Sequence, residues 1–222
     1  MKGRLGVLAL LPAFAVQAAD FSAGGASFVV PVTSLKEARF RSTVRQQYDF
    51  SCGSAALATL LSYHYDFPVT EQEIFREMFL RGDQPRIRRE GFSLLDMKRY
   101  LAARGFTADG FEQPLDKLAQ AGLPAIVLVA ENGYRHFVVL KGMQGQRVLL
   151  GDPAGGTRAI SRQGFEAIWQ NRLLFVIHSR PGKPRFNELA DWRVAPQALL
   201  ADGIVRDSLR DVTLPKLGGG DF

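Results

Sequence analysis

The sequence predicts an α+β fold in which helices come first and an antiparallel sheet follows. Three observations carry that expectation. Capping signals and apolar residues at helical spacing crowd residues 52–105, and apolar runs of strand length crowd residues 106–177. The 222-residue chain, 46% hydrophobic and 23% charged, holds apolar material for one sizeable core.

Taken in order, the chain opens with Met1-Lys2-Gly3-Arg4, an apolar run from Leu5 to Val16, and small residues at Val16 and Ala18. This pattern predicts a secretory signal peptide over residues 1–18, with cleavage after Ala18 and a periplasmic destination. The run falls short of the roughly 20 apolar residues that span a bilayer. Residues 19–39 read as a flexible lead-in ending in an edge strand at Phe28–Val32, because Pro31 cannot donate within a central strand. Residues 40–180 read as the main domain.

Within it, small residues then large apolar ones from Gly53 to Tyr65 predict a buried central helix starting at or just after Cys52. Thr70 and Glu73 form a capping box for a helix running to Gly82. A basic connector from Arg81 to Arg89 then leads to Ser93, the N-cap of another helix carrying Leu94, Leu95, Met97, Tyr100 and Leu101. Beyond Gly105 the pattern turns extended: strands at residues 106–111 and 124–129, a short helix at 115–121 closed by Gly122, then strands at 134–140 and 147–152. A helix near 165–169 and a strand at 173–177 complete the set. Residues 181–222, punctuated by Pro181, Pro184, Pro196 and Pro215, read as an extension, helical near Gln197–Asp202, with a loose tail.

The net charge of +6 is spread along the chain, with no zinc-finger spacing, RNP motif or P-loop, so neither nucleic acid nor ATP is an expected partner. One cysteine and three scattered histidines lack metal-ligand spacing, and no cofactor is expected. A lone cysteine in an oxidising compartment cannot form an internal disulfide; it is buried and inert, an intermolecular link, or a reactive thiol. At a helix start the dipole favours the thiolate. A thiolate nucleophile needs a base, a group orienting that base, and oxyanion donors. His64 lies twelve residues along the helix, about 18 Å away, out of reach. His178 ends a strand and reads as a surface residue. His136 differs: a hairpin centred on Gln144 sets it directly across from Asp152, whose carboxylate would accept the Nδ1–H. A slip of one residue would send the two to opposite faces.

Gln46, Cys52-Gly53 six residues later, His136-Phe137-Val138-Val139 and Asp152-Pro153 together resemble the C39 family of papain-like cysteine peptidases, which includes double-glycine leader peptidases. The resemblance covers Phe40 to Ile177. It implies a papain-like fold with Cys52 as nucleophile, His136 as general base and acid, Asp152 as the orienting carboxylate, and Gln46 as oxyanion donor beside the Cys52 amide. Gln47 is the alternative donor. Ser51 departs from the Asp that many members place before the cysteine, with Asp49 as a candidate substitute.

A stand-alone exported member is similar to the C39-like peptidases of functional-amyloid secretion systems, which implies a protein or peptide substrate: an amyloid fibre subunit or a secretion component. The expected activity is endopeptidase cleavage at or after small, Gly-Gly-like residues through an acyl-enzyme. A peptidase-like binding or chaperone module, and an acyl transferase using the same triad, are the alternatives. Leu209, Leu214 and Leu217 ahead of Gly219-Gly220 resemble the hydrophobic spacing of leaders cleaved by this family, which implies self-interaction of the tail as a pseudosubstrate or self-processing site.

Overall fold

The strands of the main sheet carry apolar residues on both faces, so burying them requires a helical layer on each side. The computed structural model describes residues 18–23, 26–31, 33–179 and 183–195. The residues ahead of Ala18 expected to form a signal peptide, the helix expected near Gln197–Asp202 and the Leu209, Leu214, Leu217, Gly219 and Gly220 tail lie outside the described residues. Among the described residues, no helix is long and apolar enough to cross a membrane.

The chain forms two compact units, Met1–Ala38 and Arg39–Phe222. In the first, β1 (Ala18–Ala23) and β2 (Ala26–Pro31) pair antiparallel with Ala23 opposite Ala26. The expected single edge strand is thus one arm of a hairpin, and the lead-in before it is ordered as the other arm. Pro31 ends β2, where its missing N–H costs no ladder bond. Helix α1 (Leu35–Arg39) follows, its Glu37 amide donating to Ser34 Oγ at 3.1 Å.

The second unit opens with α2 (Cys52–His64), buried around most of its circumference. Gly53, Ser54, Ala55, Ala56 and Ala58 allow that, because small side chains let other elements approach on several sides. Helix α3 (Glu71–Arg81) begins with the expected Thr70–Glu73 capping box. The supposed basic connector is in fact a helix, α4 (Gln84–Glu90): Asp83 Oδ1 accepts the Arg86 amide at 3.0 Å, and Pro85 sits in the first turn, where a proline is tolerated. Helix α5 (Leu94–Ala102) starts with a second capping box, Ser93 with Asp96.

Strand β3 (Ala108–Glu112), helix α6 (Leu115–Ala121), β4 (Ala125–Glu131), β5 (Tyr134–Gln144) and β6 (Arg147–Asp152) follow. Next comes β7 (Gly156–Ser161), which the sequence reading missed because its Gly, Thr and Arg residues offer little apolar alternation. Helix α7 (Arg162–Ile168), β8 (Leu173–Ile177) and α8 (Leu189–Arg193) complete the unit. The six-stranded sheet runs β3-β8-β4-β5-β6-β7, antiparallel throughout.

One core joins Leu57, Leu60 and Leu61 of α2 and Met97 of α5 to Ile126, Val139 and Phe175. The other joins Leu118 of α6 and Phe165 of α7 to Val127, Val138 and Leu150. Alternate residues of β4 and β5 therefore enter opposite cores, as the two-residue period of a strand requires.

The β5–β6 hairpin departs from the expected register. Its turn is Gly145-Gln146, with Gln144 opposite Arg147, Met143 opposite Val148 and Gly142 opposite Leu149. Lys141 then bulges out, and Leu140 faces Leu150. Without the bulge, Asp152 would fall across from Val139, on the face opposite to His136. The extra residue moves it to the Val138 position, which shares a face with His136. The two are diagonal neighbours rather than a directly opposed pair.

The bulge is braced from two sides. The Lys141 side chain is fully buried, and its Nζ lies 2.8 Å from Asp191 Oδ2 of α8 and donates to Ser42 O and Ser42 Oγ at 2.8 Å each. Gly151 leaves room for it, since a Cβ there would meet Lys141 Cδ at 2.9 Å. The segment carrying α8 also ties itself on through the Asn187 amide, which donates to Lys141 O at 3.0 Å.

Candidate active site

Cys52 is the first residue of α2, and the turn before it sets its place. Ser51 Oγ donates to the Tyr48 carbonyl at 3.0 Å and accepts from the Tyr48 amide at 3.1 Å. Ser51 therefore closes the turn rather than capping the helix. Asp49 contributes its backbone carbonyl, which accepts from the Tyr134 hydroxyl at 2.7 Å.

Burial pushes the Cys52 thiol above its ordinary pKa. The amides of Phe137, Gly53 and Cys52 itself pull it down, and the Asp152 charge adds to the rise. The helix start thus acts in the expected direction, but the residue is only 7% exposed and desolvation outweighs it. The resting thiol is harder, not easier, to ionise.

His136 is 6% exposed and its Nε2 lies 3.2 Å from Asp152 Oδ2. An ionised carboxylate only accepts, so Nε2 carries a proton, and it is Nδ1 that holds the lone pair whenever the ring acts as a base. This reverses the expected use of Nδ1 toward Asp152. Nδ1 is buried and has no hydrogen-bond partner among the described residues. Asp152 Oδ1 accepts the Ala154 and Gly155 amides at 2.9 and 3.3 Å. Burial alone would raise the Asp152 pKa, but the His136 hydrogen bond and charge, the Ala154 amide and the Arg158 charge outweigh it and hold it low.

The helix and the sheet meet at Phe137. Its amide is close enough to pull the Cys52 thiol pKa down, and a Cβ on Gly53 would lie 3.7 Å from its ring. The nucleophile candidate, on α2, is therefore beside the β5 residue that follows the base candidate. Gln46 joins them: its amide donates to Pro153 O at 3.1 Å, directly after Asp152. Its Nε2 donates to Tyr48 O at 3.2 Å, while Oε1 is buried without a partner. Gln47 is exposed and turns away to accept from Gln72 Nε2 at 3.1 Å, so it does not stand in for Gln46.

The other histidines are elsewhere. His64 ends α2, with Nδ1 2.6 Å from the Arg185 carbonyl oxygen, and burial pushes its pKa down to about 4. His178 pairs with Asp109 at 2.8 Å on the surface.

Three neighbours escaped the sequence reading. Tyr134 stacks on His136 at 5.3 Å between ring centroids, and it sits two residues away on the same strand face. Glu131 and Arg158 complete a charged cluster with His136 and Asp152. Asn132-Gly133, both at positive φ, form the two-residue turn that joins β4 to β5, a sequence signal that would have set Glu131 across from Tyr134. Glu131, His136 and Asp152 bring one donor atom each within 4.8 Å of one another, a spacing that could hold a metal ion. A cation there would compete with the Arg158 guanidinium, which is already paired with both carboxylates.

Residues 41–180 match the model of the Peptidase C39 family. The chain is 41% identical over 168 residues to the "Probable functional amyloid protease FapD" of Pseudomonas fluorescens, covering 76% of this chain and 74% of that protein. It is 42% identical over 154 residues to the protein of the same name from Pseudomonas aeruginosa, covering 69% and 68%. Among solved structures, a double glycine motif protease from an AMS/PCAT transporter in complex with the leader peptide is similar at 25% identity and TM-score 0.50, over 61% of this chain and 89% of that one. The peptidase domain of Streptococcus ComA shares the fold at 19% identity and TM-score 0.52, over 63% and 98%.

Proposed function

Because the chain belongs to the Peptidase C39 family and is a cysteine peptidase, we propose that Cys52, His136 and Asp152 are its catalytic triad and that it is an exported endopeptidase. The observation that carries this reading is the His136–Asp152 hydrogen bond through Nε2, which leaves a buried Nδ1, unpartnered among the described residues, one residue from the Phe137 amide that lowers the thiol pKa.

In this mechanism Nδ1 takes the Cys52 proton as the sulfur attacks the scissile carbonyl. Transfer concerted with attack suits a thiol whose pKa burial has raised, because little free thiolate stands waiting. The Cys52 amide and Gln46 Nε2 receive the oxyanion, Gln46 exchanging its bond to Tyr48 O for one to substrate. The imidazolium, stabilised by Asp152, gives its proton to the departing amine. Water then hydrolyses the thioester, with His136 again as base.

The substrate proposed is a protein cleaved at or after small residues such as paired glycines, in the periplasm, with an amyloid subunit or secretion component as the target. Two relatives bearing the name of a functional amyloid protease and a similar structure holding a leader peptide support that direction. The periplasmic placement rests on the basic and apolar pattern of residues 1–18. The test compares N-terminal sequences of periplasmic and outer-membrane proteins from cells carrying the wild-type chain or Cys52→Ala. A new N-terminus following small residues, present only with Cys52, is the expected result; identical N-termini in both would end the proposal.

A further inference from the structure

Four adjacent strands each send one ionisable side chain to the same end of one sheet face: Glu131 from β4, His136 from β5, Asp152 from β6 and Arg158 from β7. Asp152 Oδ2 lies between two cationic or donor groups, His136 Nε2 at 3.2 Å and Arg158 Nε at 3.3 Å. The rest of the guanidinium is turned to Glu131, with Nη1 3.1 Å from Oε1 and Nη2 paired with Oε2.

Glu131 is a hazard to the imidazole. Its carboxylate, like that of Asp152, is close enough for one donor atom from each of Glu131, His136 and Asp152 to fall within 4.8 Å of one another. Two carboxylates competing for one ring would tilt it between two partners, and the Nδ1 lone pair would lose its fixed direction. A guanidinium fork matches a carboxylate in two bonds, which a lysine ammonium cannot do. We propose that Arg158 is a positioning residue that holds the Glu131 carboxylate off His136, leaving Asp152 as the single carboxylate partner of the ring and Nδ1 aimed at Cys52.

The proposal rests on the reading of His136 as the base. The charged and titratable groups around the ring are Glu131, Asp152 and Arg158, with Cys52 arriving from α2 and Tyr134 stacked on the imidazole. Arg158 also helps keep the Asp152 carboxyl low, after His136 and the Ala154 amide. Both Arg158 and Glu131 are partly exposed, at 26% and 31% of their side chains, so replacing them opens no large cavity.

The experiment measures the rate of Cys52 alkylation by iodoacetamide, read by intact mass, from pH 4 to 9 on the full chain. Arg158→Met is expected to slow alkylation at neutral pH about tenfold and to move the acid limb to higher pH. Arg158→Met with Glu131→Gln removes the competing carboxylate together with its restraint, and is expected to recover to within about threefold of wild type. Melting temperatures separate this from a merely structural role: removing Glu131 also removes the carboxylate that Arg158→Met leaves unpaired, so a rate that recovers only in step with the melting temperature overturns the positioning role. The proposal is overturned by an Arg158→Met profile that matches wild type, or by a double variant as slow as the single one with the same melting temperature. Where Arg158→Met fails to fold, the double variant decides by the same criterion against wild type. His136→Ala separates the two levels: alkylation indifferent to His136 sinks the triad, whereas dependence on His136 with none on Arg158 overturns only the positioning role.

Discussion

The two halves of the site are built by different means. Cys52 is placed locally: a Tyr48–Ser51 turn, a helix start and small residues fix it within a few positions of chain. His136 and Asp152 are placed by register: a turn at Gly145-Gln146, a bulge at Lys141 and a buried lysine braced by Ser42 and Asp191 decide which face each occupies. A local device fails only where it is mutated. A register device fails from a distance, because one unpaired residue flips every side chain beyond it.

The sharpest way to test the pairing of these halves is to remove one atom set from each. Cys52→Ala and His136→Ala are each expected to lower kcat/KM for peptide cleavage by about 10³-fold or more, with the double variant no worse than either single one. That non-additivity is the signature of two groups acting as one unit. Additive losses would mean that the two halves work separately.

A second test breaks only the register half. Asp191→Ala leaves the Lys141 ammonium fully buried without its carboxylate, and is expected to cost about 3–5 kcal/mol in urea unfolding. Replacing both residues together, Lys141→Met with Asp191→Leu, is expected to recover most of that loss, since the desolvated charge disappears with its partner. Activity in the double variant then reports whether the bulge survives without its ion pair.

The same contrast explains what was legible in the sequence. The α+β order, the Thr70 and Ser93 caps and the helix start at Cys52 were readable because each depends on neighbours within a few residues. So were Gln46, Cys52, His136 and Asp152 as candidates, and the structure brings all four to one end of the sheet. The register was not readable, because a bulge leaves no local mark: Lys141 looks like an ordinary solvated lysine until Asp191 arrives from 50 residues away. That Nε2 rather than Nδ1 faces Asp152 was hidden for the same reason, since a diagonal pair approaches the imidazole differently from an opposed one. Arg158 and Glu131 stayed hidden because their meaning lies in the strand order β4-β5-β6-β7, which only tertiary structure supplies.

Helix α2 can also be compared end to end. At its far end His64 is held neutral at a pKa of about 4, against 6.5 in its ordinary state, because burial disfavours the charged ring. The unfolded chain therefore binds a proton at a higher pH than the folded one. Stability from this group is intact above pH 6.5 and falls as pH drops toward 4, by about 3 kcal/mol in all. The Asp152 carboxyl, also held low, adds a further loss only as pH falls below the ordinary carboxylate range. Urea unfolding at pH 7 and pH 5 should show the decline, and His64→Gln should flatten it. An unchanged slope would place the titration elsewhere.

The smallest expected effect lies at the local half itself. Gly53 follows Cys52 and has no room for a side chain: a Cβ would lie 2.8 Å from Met97 Cε and 3.1 Å from Phe92 Cβ. Methionine ends are flexible and can yield, whereas the Phe92 stem cannot, so Gly53→Ala is expected to cost about 1–3 kcal/mol rather than unfold the protein. The displacement should act on the thiol as well, because the Gly53 amide is one of the three that lower its pKa. Gly53→Ala with Met97→Leu shortens the opposing side chain, and is expected to recover part of the stability. Slower alkylation of Cys52 in that double variant would show that the helix start sets the direction of the sulfur as well as its position; a wild-type rate would assign the direction to Phe137 and the sheet.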